Sequence, residues 1–196
     1  NVSGWKDADK EGCHYRDYFP RARDYVISNY EADQARGGRA SPSTIVLDLG
    51  EPAPEALRGT FDVAFSHTVL EHLDDPVFAF AQIAALSRDL VITVVPFKQK
   101  VHFEPGQYGD YFRFAPLAMR RMHERNGLTV LYESFPPRPT LDVYLFYLGT
   151  KWPEKHAGFP VKLPRIEDLN FKVGNFSARD LMLNIADRAC RKVLGR

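Results

Sequence analysis

Cysteine is scarce in this chain of 196 residues, and the two present, Cys13 and Cys190, stand far apart. They form no thiolate metal-ligand spacing, and two free thiols in a reducing compartment are a plainer reading than one long-range disulfide. An excess of charge of one sign is missing too. The 26 basic and 25 acidic side chains leave a formal charge of +1, so no global field draws the protein to an anionic surface. There is no concentrated basic face and no ladder of aromatic and basic residues, and a nucleic-acid partner is not expected. No apolar run reaches the roughly 18 to 20 residues that a membrane-spanning helix needs, and no leader-like pattern opens the chain at Asn1. These absences predict a cytoplasmic protein without stable membrane insertion. Neither Gly-x-Gly-x-x-Gly nor a lysine-bearing phosphate loop occurs, which argues against a dehydrogenase or a nucleoside triphosphatase.

What is present can build a core. Hydrophobic residues make up 44% and aromatic residues 13% of the chain, enough for one domain or one domain with an appendage. Residues 25–28 can form a short strand, and 33–43, with Gly37, Gly38 and Pro42, a loop. The β-branched run 44–49 reads as a buried strand that ends in Asp48, Leu49 and Gly50. A second strand is expected over 61–66. Asp75 can then cap a helix with Pro76 in its first turn, and Val77, Phe80, Ala81 and Ala84 recur at helical spacing to about Leu86. The strongest strand, 90–95, is expected to stop at Pro96. A helix from Pro116 to about Asn126 ends at Gly127. Strands over 129–132 and 143–148 follow, joined through Pro136, Pro137 and Pro139. That connection is too short for a crossover helix, so the last pair should be antiparallel. The sum is an α/β domain, Rossmann-like, with a mostly parallel sheet and an antiparallel final strand.

Residues 151–174 read as a long surface connection, leading to a helix from about Ser177. Its stripe of Leu181, Met182, Ile185, Ala189 and Val193 should pack on the domain, or on a second copy or a protein partner. The organisation expected is therefore an α/β domain over 1–150, its first strand incomplete, and an extended connection with an amphipathic helix over 151–196.

The run from Phe61 to Leu73, with Leu70-Glu71-His72-Leu73 followed by Asp75-Pro76, resembles the class I S-adenosylmethionine-dependent methyltransferases, especially the type 11-like small-molecule group. Val94-Val95-Pro96-Phe97, His102 and the segment Gly109-Asp110-Tyr111-Phe112-Arg113-Phe114 extend the likeness, which covers about residues 24–148. The antiparallel last strand also suits that family's seven-stranded sheet. The first motif is truncated or degenerate: Ser3 stands where the family has glycine, and Trp5 follows Gly4.

The resemblance implies S-adenosylmethionine as cofactor and a small-molecule, glycan or lipid-type methyl acceptor. A noncatalytic methyltransferase-like binding or scaffold protein is the alternative. It also places the site. Ser3 and Gly4 would lie at the first motif, and Asn29 falls in the register of the ribose-binding acid, with Glu31 two residues on. Asp48 and Leu49 would flank the adenine, and Ser66 and His67 the methionyl portion. His102 is the first candidate for proton removal and His67 the second. His102, Asp110, Tyr111 and Arg113 would line the acceptor side. From the residues alone, His102 fits a proton acceptor, a site-lining group or a loop anchor. Likewise, Arg113 fits either an anion binder or an ion-pair partner of Asp110 or Glu104. No metal is demanded, because His67 and His72 are five residues apart and His102 belongs to another loop.

Overall fold

The computed structural model describes residues 1–9, 12–31, 44–134, 143–161, 163 and 182. Strands β1 (Ile27–Asn29) and β2 (Thr44–Val46) pair in parallel. Strands β3 (Phe61–His67), β4 (Ser87–Lys98), β5 (Thr129–Ser134) and β6 (Val143–Thr150) form a second sheet in the order β3-β4-β6-β5. β3 and β4 are parallel, and β6 is antiparallel to both β4 and β5.

Residues 1–4 join the two sheets. On one side, Asn1 N–H donates to the Val26 carbonyl at 2.8 Å, and Ser28 N–H to the Asn1 carbonyl at 2.9 Å. On the other, Val2 N–H donates to the Phe65 carbonyl at 2.7 Å, within a parallel bridge between Val2 and Ser66. The lateral order is therefore β2, β1, residues 1–4, β3, β4, β6, β5. Chain direction across the sheet reverses at residues 1–4: β1 and β2 lie to one side, β3 and β4 to the other. In open α/β sheets such a reversal opens a crevice at the carboxyl ends of the parallel strands.

Helix α1 (Pro76–Leu86) begins as its sequence dictates. One carboxylate oxygen of Asp75 accepts the amides of Val77 and Phe78 at 3.1 and 2.9 Å, and Pro76 fills a first-turn position that needs no donor. The helix buries Ala79, Phe80, Ile83, Ala84 and Leu86 against Leu70, Val91 and Val95 of the main core. Complete burial of Phe80 and Ile83 contributes about 1.5–3 kcal/mol each. Helix α2 (Pro116–Arg125) lays Met119, Met122 and His123 inward, and Gly127, at φ 68°, takes the left-handed conformation that follows its end. Beneath α2, the Tyr147 hydroxyl donates to Glu133 Oε1 at 2.7 Å, and Arg120 Nε donates to Glu133 Oε2 at 2.7 Å. The one buried carboxylate in β5 is thereby paired and hydrogen-bonded.

Several boundaries differ from the expectation. β4 does not stop at Pro96 but runs to Lys98, with Pro96 opposite Tyr144. The Pro96 carbonyl accepts Phe114 N–H at 2.9 Å, so this peptide edge faces away from β6, beyond the point where β3 has ended. No ladder donor is needed there, and proline is tolerated. Strand β2 is shorter than 44–49, because Asp48 leaves the ladder to accept Gly50 N–H at 2.8 Å in a turn. After β6, a short 3-10 turn (Pro153–His156) interrupts the expected connection. Residues 136–139, the loop 33–43 and the helix expected from Ser177 lie outside the described residues, Thr44 onward and Met182 excepted. Among the described residues, no helix is long and apolar enough to cross a membrane.

Candidate active site

The carboxyl-end edge of the parallel strands collects most of the residues singled out in the sequence. Residues 1–4 run into a tight turn in which Ser3, Trp5 and Asp7 hold positive φ values of 51°, 42° and 56°. Thr68, immediately after β3, is also left-handed at 51°. For a β-branched residue this conformation is costly, about 1–3 kcal/mol, and is retained only where neighbours impose it. Here Thr68 N–H is held by the Val94 carbonyl at 2.8 Å. Strained turns thus flank both sides of the strand-order reversal.

Gly4 sits at a close approach to two side chains. A Cβ there would come 2.6 Å from Asn1 Nδ2 and 3.0 Å from a methyl of Ile27. Asn29 is fully buried at the end of β1, where its Oδ1 accepts Trp5 N–H at 2.7 Å and its Nδ2 donates to the Trp5 carbonyl at 3.4 Å. A carboxamide makes both bonds, whereas a carboxylate could only accept. Asn29 therefore clamps the turn, and the exposed acid near it is Glu31. Asp48 is exposed at the end of β2, while the Leu49 side chain is buried in the main core, so only its backbone can face a ligand. Ser66 is likewise fully buried.

His67, at the end of β3, is half-buried between two tyrosines. Its Nδ1 lies 3.2 Å from the Tyr15 hydroxyl and 3.1 Å from Thr68 Oγ1, and its ring centroid is 5.2 Å from that of Tyr15 and 6.2 Å from that of Tyr144. The Tyr144 hydroxyl accepts from Gln99 Nε2 at 2.6 Å, which connects these rings to the loop after β4.

That loop is organised by Asp110. Its carboxylate accepts Arg113 Nη1 at 2.5 Å and Nη2 at 2.7 Å, together with the backbone N–H of His102 at 2.6 Å. The bidentate guanidinium, with the His102 amide, holds the Asp110 carboxyl down at about 2. The remaining donors of Arg113 reach the carbonyls of Gln99, Lys100 and Phe112. With its fork engaged on all sides, Arg113 acts as a clasp for residues 99–113, and the anion-binding role the sequence allowed gives way to the ion pair with Asp110. Tyr111 is exposed, its ring against Gly109, where any Cβ would collide with it.

His102 Nδ1 lies 3.1 Å from Asp110 Oδ2. Its ring meets the His72 ring edge-on, with centroids 5.0 Å apart. His72 Nδ1 donates to the Gly109 carbonyl at 2.5 Å. Burial lowers the His72 pKa below the ordinary histidine value, opposed in part by that hydrogen bond. Glu71 is fully buried next to it, and the Glu71 carbonyl accepts the amides of Tyr111 and Phe112 at 2.8 and 3.3 Å. The structure thus brings His72 and His102 together from separate loops, which sequence spacing did not reveal. Asp7 was missed as well: this buried carboxylate accepts from the Asn1 side chain at 2.7 Å and the Tyr25 hydroxyl at 2.6 Å. Only its place in a polar run was visible in the sequence.

No family model matches the chain, and no curated protein matches it in sequence. Solved structures do match in shape. One is the Haloferax volcanii complex of the Trm112 methyltransferase activator with a methyltransferase, at 12% identity and a TM-score of 0.53 over 76% of this chain and 80% of that one. Another is the Burkholderia thailandensis 1,6-didemethyltoxoflavin N1-methyltransferase with bound 1,6-didemethyltoxoflavin and S-adenosylhomocysteine, at 16% identity and 0.50 over 76% and 69%. The CurJ carbon methyltransferase matches at 12% identity and 0.54 over 76% and 47%. Likeness at such identities establishes the fold and selects no subtype. The chain has the general α/β, Rossmann-like fold of the class I S-adenosylmethionine-dependent methyltransferases.

Proposed function

We propose that the protein binds S-adenosylmethionine in the crevice at residues 1–5 and β3, and transfers its methyl group to a small-molecule, glycan or lipid-type acceptor. The observation that carries this reading is the reversal of strand order at residues 1–4, with left-handed Ser3, Trp5 and Thr68 on the turns that border it. In this reading exposed Glu31 takes the ribose hydroxyls, exposed Asp48 the adenine amino group, and the backbone of Ser3, Gly4, Leu49 and Ser66 lies along the cofactor; the exposure of both acids supports it. His67 borders the methionyl end.

When bound, the sulfonium supplies an electrophilic methyl, so the protein's share is alignment and proton management. His102, its Nδ1 turned to Asp110, offers Nε2 to the proton released by the acceptor. Asp110 and Arg113 support that loop, and exposed Tyr111 offers an aromatic face to the acceptor. A specific observation favours a second reading, a noncatalytic binding or scaffold protein: Asn29, in the ribose-acid register, is committed to Trp5.

Calorimetric titration with S-adenosylmethionine and S-adenosylhomocysteine separates the two. Micromolar affinity, about 8 kcal/mol, weakened at least tenfold by Glu31→Gln, supports the cofactor site. No heat and no competition into the millimolar range would leave only the scaffold reading.

A further inference from the structure

Glu71, His72 and His102 come from two loops, yet one ligand atom from each lies within 4.8 Å of the other two. Two histidines and a carboxylate are an established donor set for Zn2+ and related ions. The surroundings of the two rings add a separate observation. His72 has one nitrogen fixed by a carbonyl, since Nδ1 donates to Gly109, and its other nitrogen, Nε2, is directed to within 3.8 Å of Glu71 Oε1. His102 has Nδ1 beside the Asp110 carboxylate. Metal-ligating histidines characteristically have one nitrogen held by a carbonyl or carboxylate, which sets the tautomer and raises the basicity of the other. The Gly109 carbonyl supplies that support for His72, and the adjacent Asp110, which Arg113 clasps in place, stands next to His102. The nearby Arg113 charge is already matched by Asp110, so it adds little opposition to a dication.

We propose that Glu71, His72 and His102 form a site for a divalent transition-metal ion of the Zn2+ class, with coordination positions left open toward the acceptor side of the crevice. In a tetrahedral Zn2+ site the donors stand about 3.4 Å apart, given metal–ligand distances of about 2.0–2.2 Å. Closing from the observed separation needs side-chain movement of about an ångström, within the reach of half-exposed His102. Three protein donors and an open position constitute a site for a water or an acceptor hydroxyl rather than a closed structural centre. With the ion bound, His102 is a ligand, and the ion lowers the pKa of the bound hydroxyl; without it, His102 Nε2 remains available to a proton.

The test is titration of the metal-free protein with Zn2+ by calorimetry, and with Co2+ by its visible absorption, in the absence of any cofactor. One ion per chain should bind at micromolar or tighter concentration. His102→Ala, at a half-exposed position, should weaken binding at least tenfold, as should His72→Gln, with circular dichroism confirming the fold; Glu71→Gln is the conservative variant at the buried position. His156→Ala, at an ion pair with Asp89 remote in sequence, should leave affinity unchanged. No binding up to millimolar metal, or affinity unmoved by the His102 and His72 variants, would overturn the proposal. The outcome is independent of the cofactor titration, so a protein that binds one ligand and not the other identifies which reading has failed.

Discussion

His123 should make the protein acid-sensitive in a way that can be isolated from its carboxylates. The imidazole is fully buried between Phe80 and Tyr147, at ring separations of 4.8 and 5.3 Å, and its Nδ1 donates to the Met119 carbonyl at 2.8 Å. Its Nε2 has no hydrogen-bond partner among the described residues, and Gly149 packs so closely that a Cβ there would lie 2.7 Å from the ring. Burial pushes the pKa from 6.5 to about 4, the Met119 bond opposing in part. Because the folded pKa is depressed, the unfolded chain takes up the proton first. The contribution to stability is fully present above about pH 6.5 and is lost as pH falls toward 4. The difference between 6.5 and about 4 corresponds to roughly 3 kcal/mol. Urea unfolding of the native protein and of His123→Phe, from pH 7.5 to 4, measures it. Phenylalanine keeps the aromatic contacts and removes the proton site, while all carboxylates are common to both proteins. The stability difference between the two should move by about 2–3 kcal/mol across this range, whatever its value at neutral pH. Parallel curves would refute the assignment of a buried neutral imidazole.

Other consequences are more local. Asp75→Ala removes the acceptor for two first-turn amides of α1 and should cost about 1 kcal/mol in chemical unfolding. Asn29→Ala leaves the Trp5 N–H and the Trp5 carbonyl without their clamp and should lower stability by about 1–3 kcal/mol, read by thermal melting. Arg113→Lys cannot reproduce the fork on Asp110 and the three carbonyls together; faster proteolytic cleavage within residues 99–113 should appear before any global unfolding.

Elements whose specification is local were legible in the sequence. Asp75-Pro76 places the start of α1 because cap and first-turn chemistry act within three residues, and Gly127 places the end of α2 for the same reason. The β-branched runs place β3 and the centre of β4. Pro96 misled because its effect depends on which edge of β4 still has a neighbour, a property of the assembled sheet. The site divided along the same line. The place of residues 1–4 at the first motif was legible only through the resemblance, and His102 was legible as a residue of the loop after β4. The contact of His72 with His102, and the clamping of Trp5 by Asn29, join residues about 24 to 30 apart in sequence, and no periodicity records such a meeting. Arg113 could be read as an anion binder or a clasp until its five donors were accounted for.

The place where a cofactor binds decides the function. Nitrogen-15-resolved NMR spectra recorded while S-adenosylhomocysteine is added report this directly, amide by amide. We predict that Gly4, Trp5, Glu31, Gly50 and Thr68 shift together with one saturating affinity, while Gly59 and Gly127, on loops that precede strands β3 and β5, stay unmoved. Shifts confined to those loops, or none at millimolar ligand, would contradict the proposed methyl-transfer site.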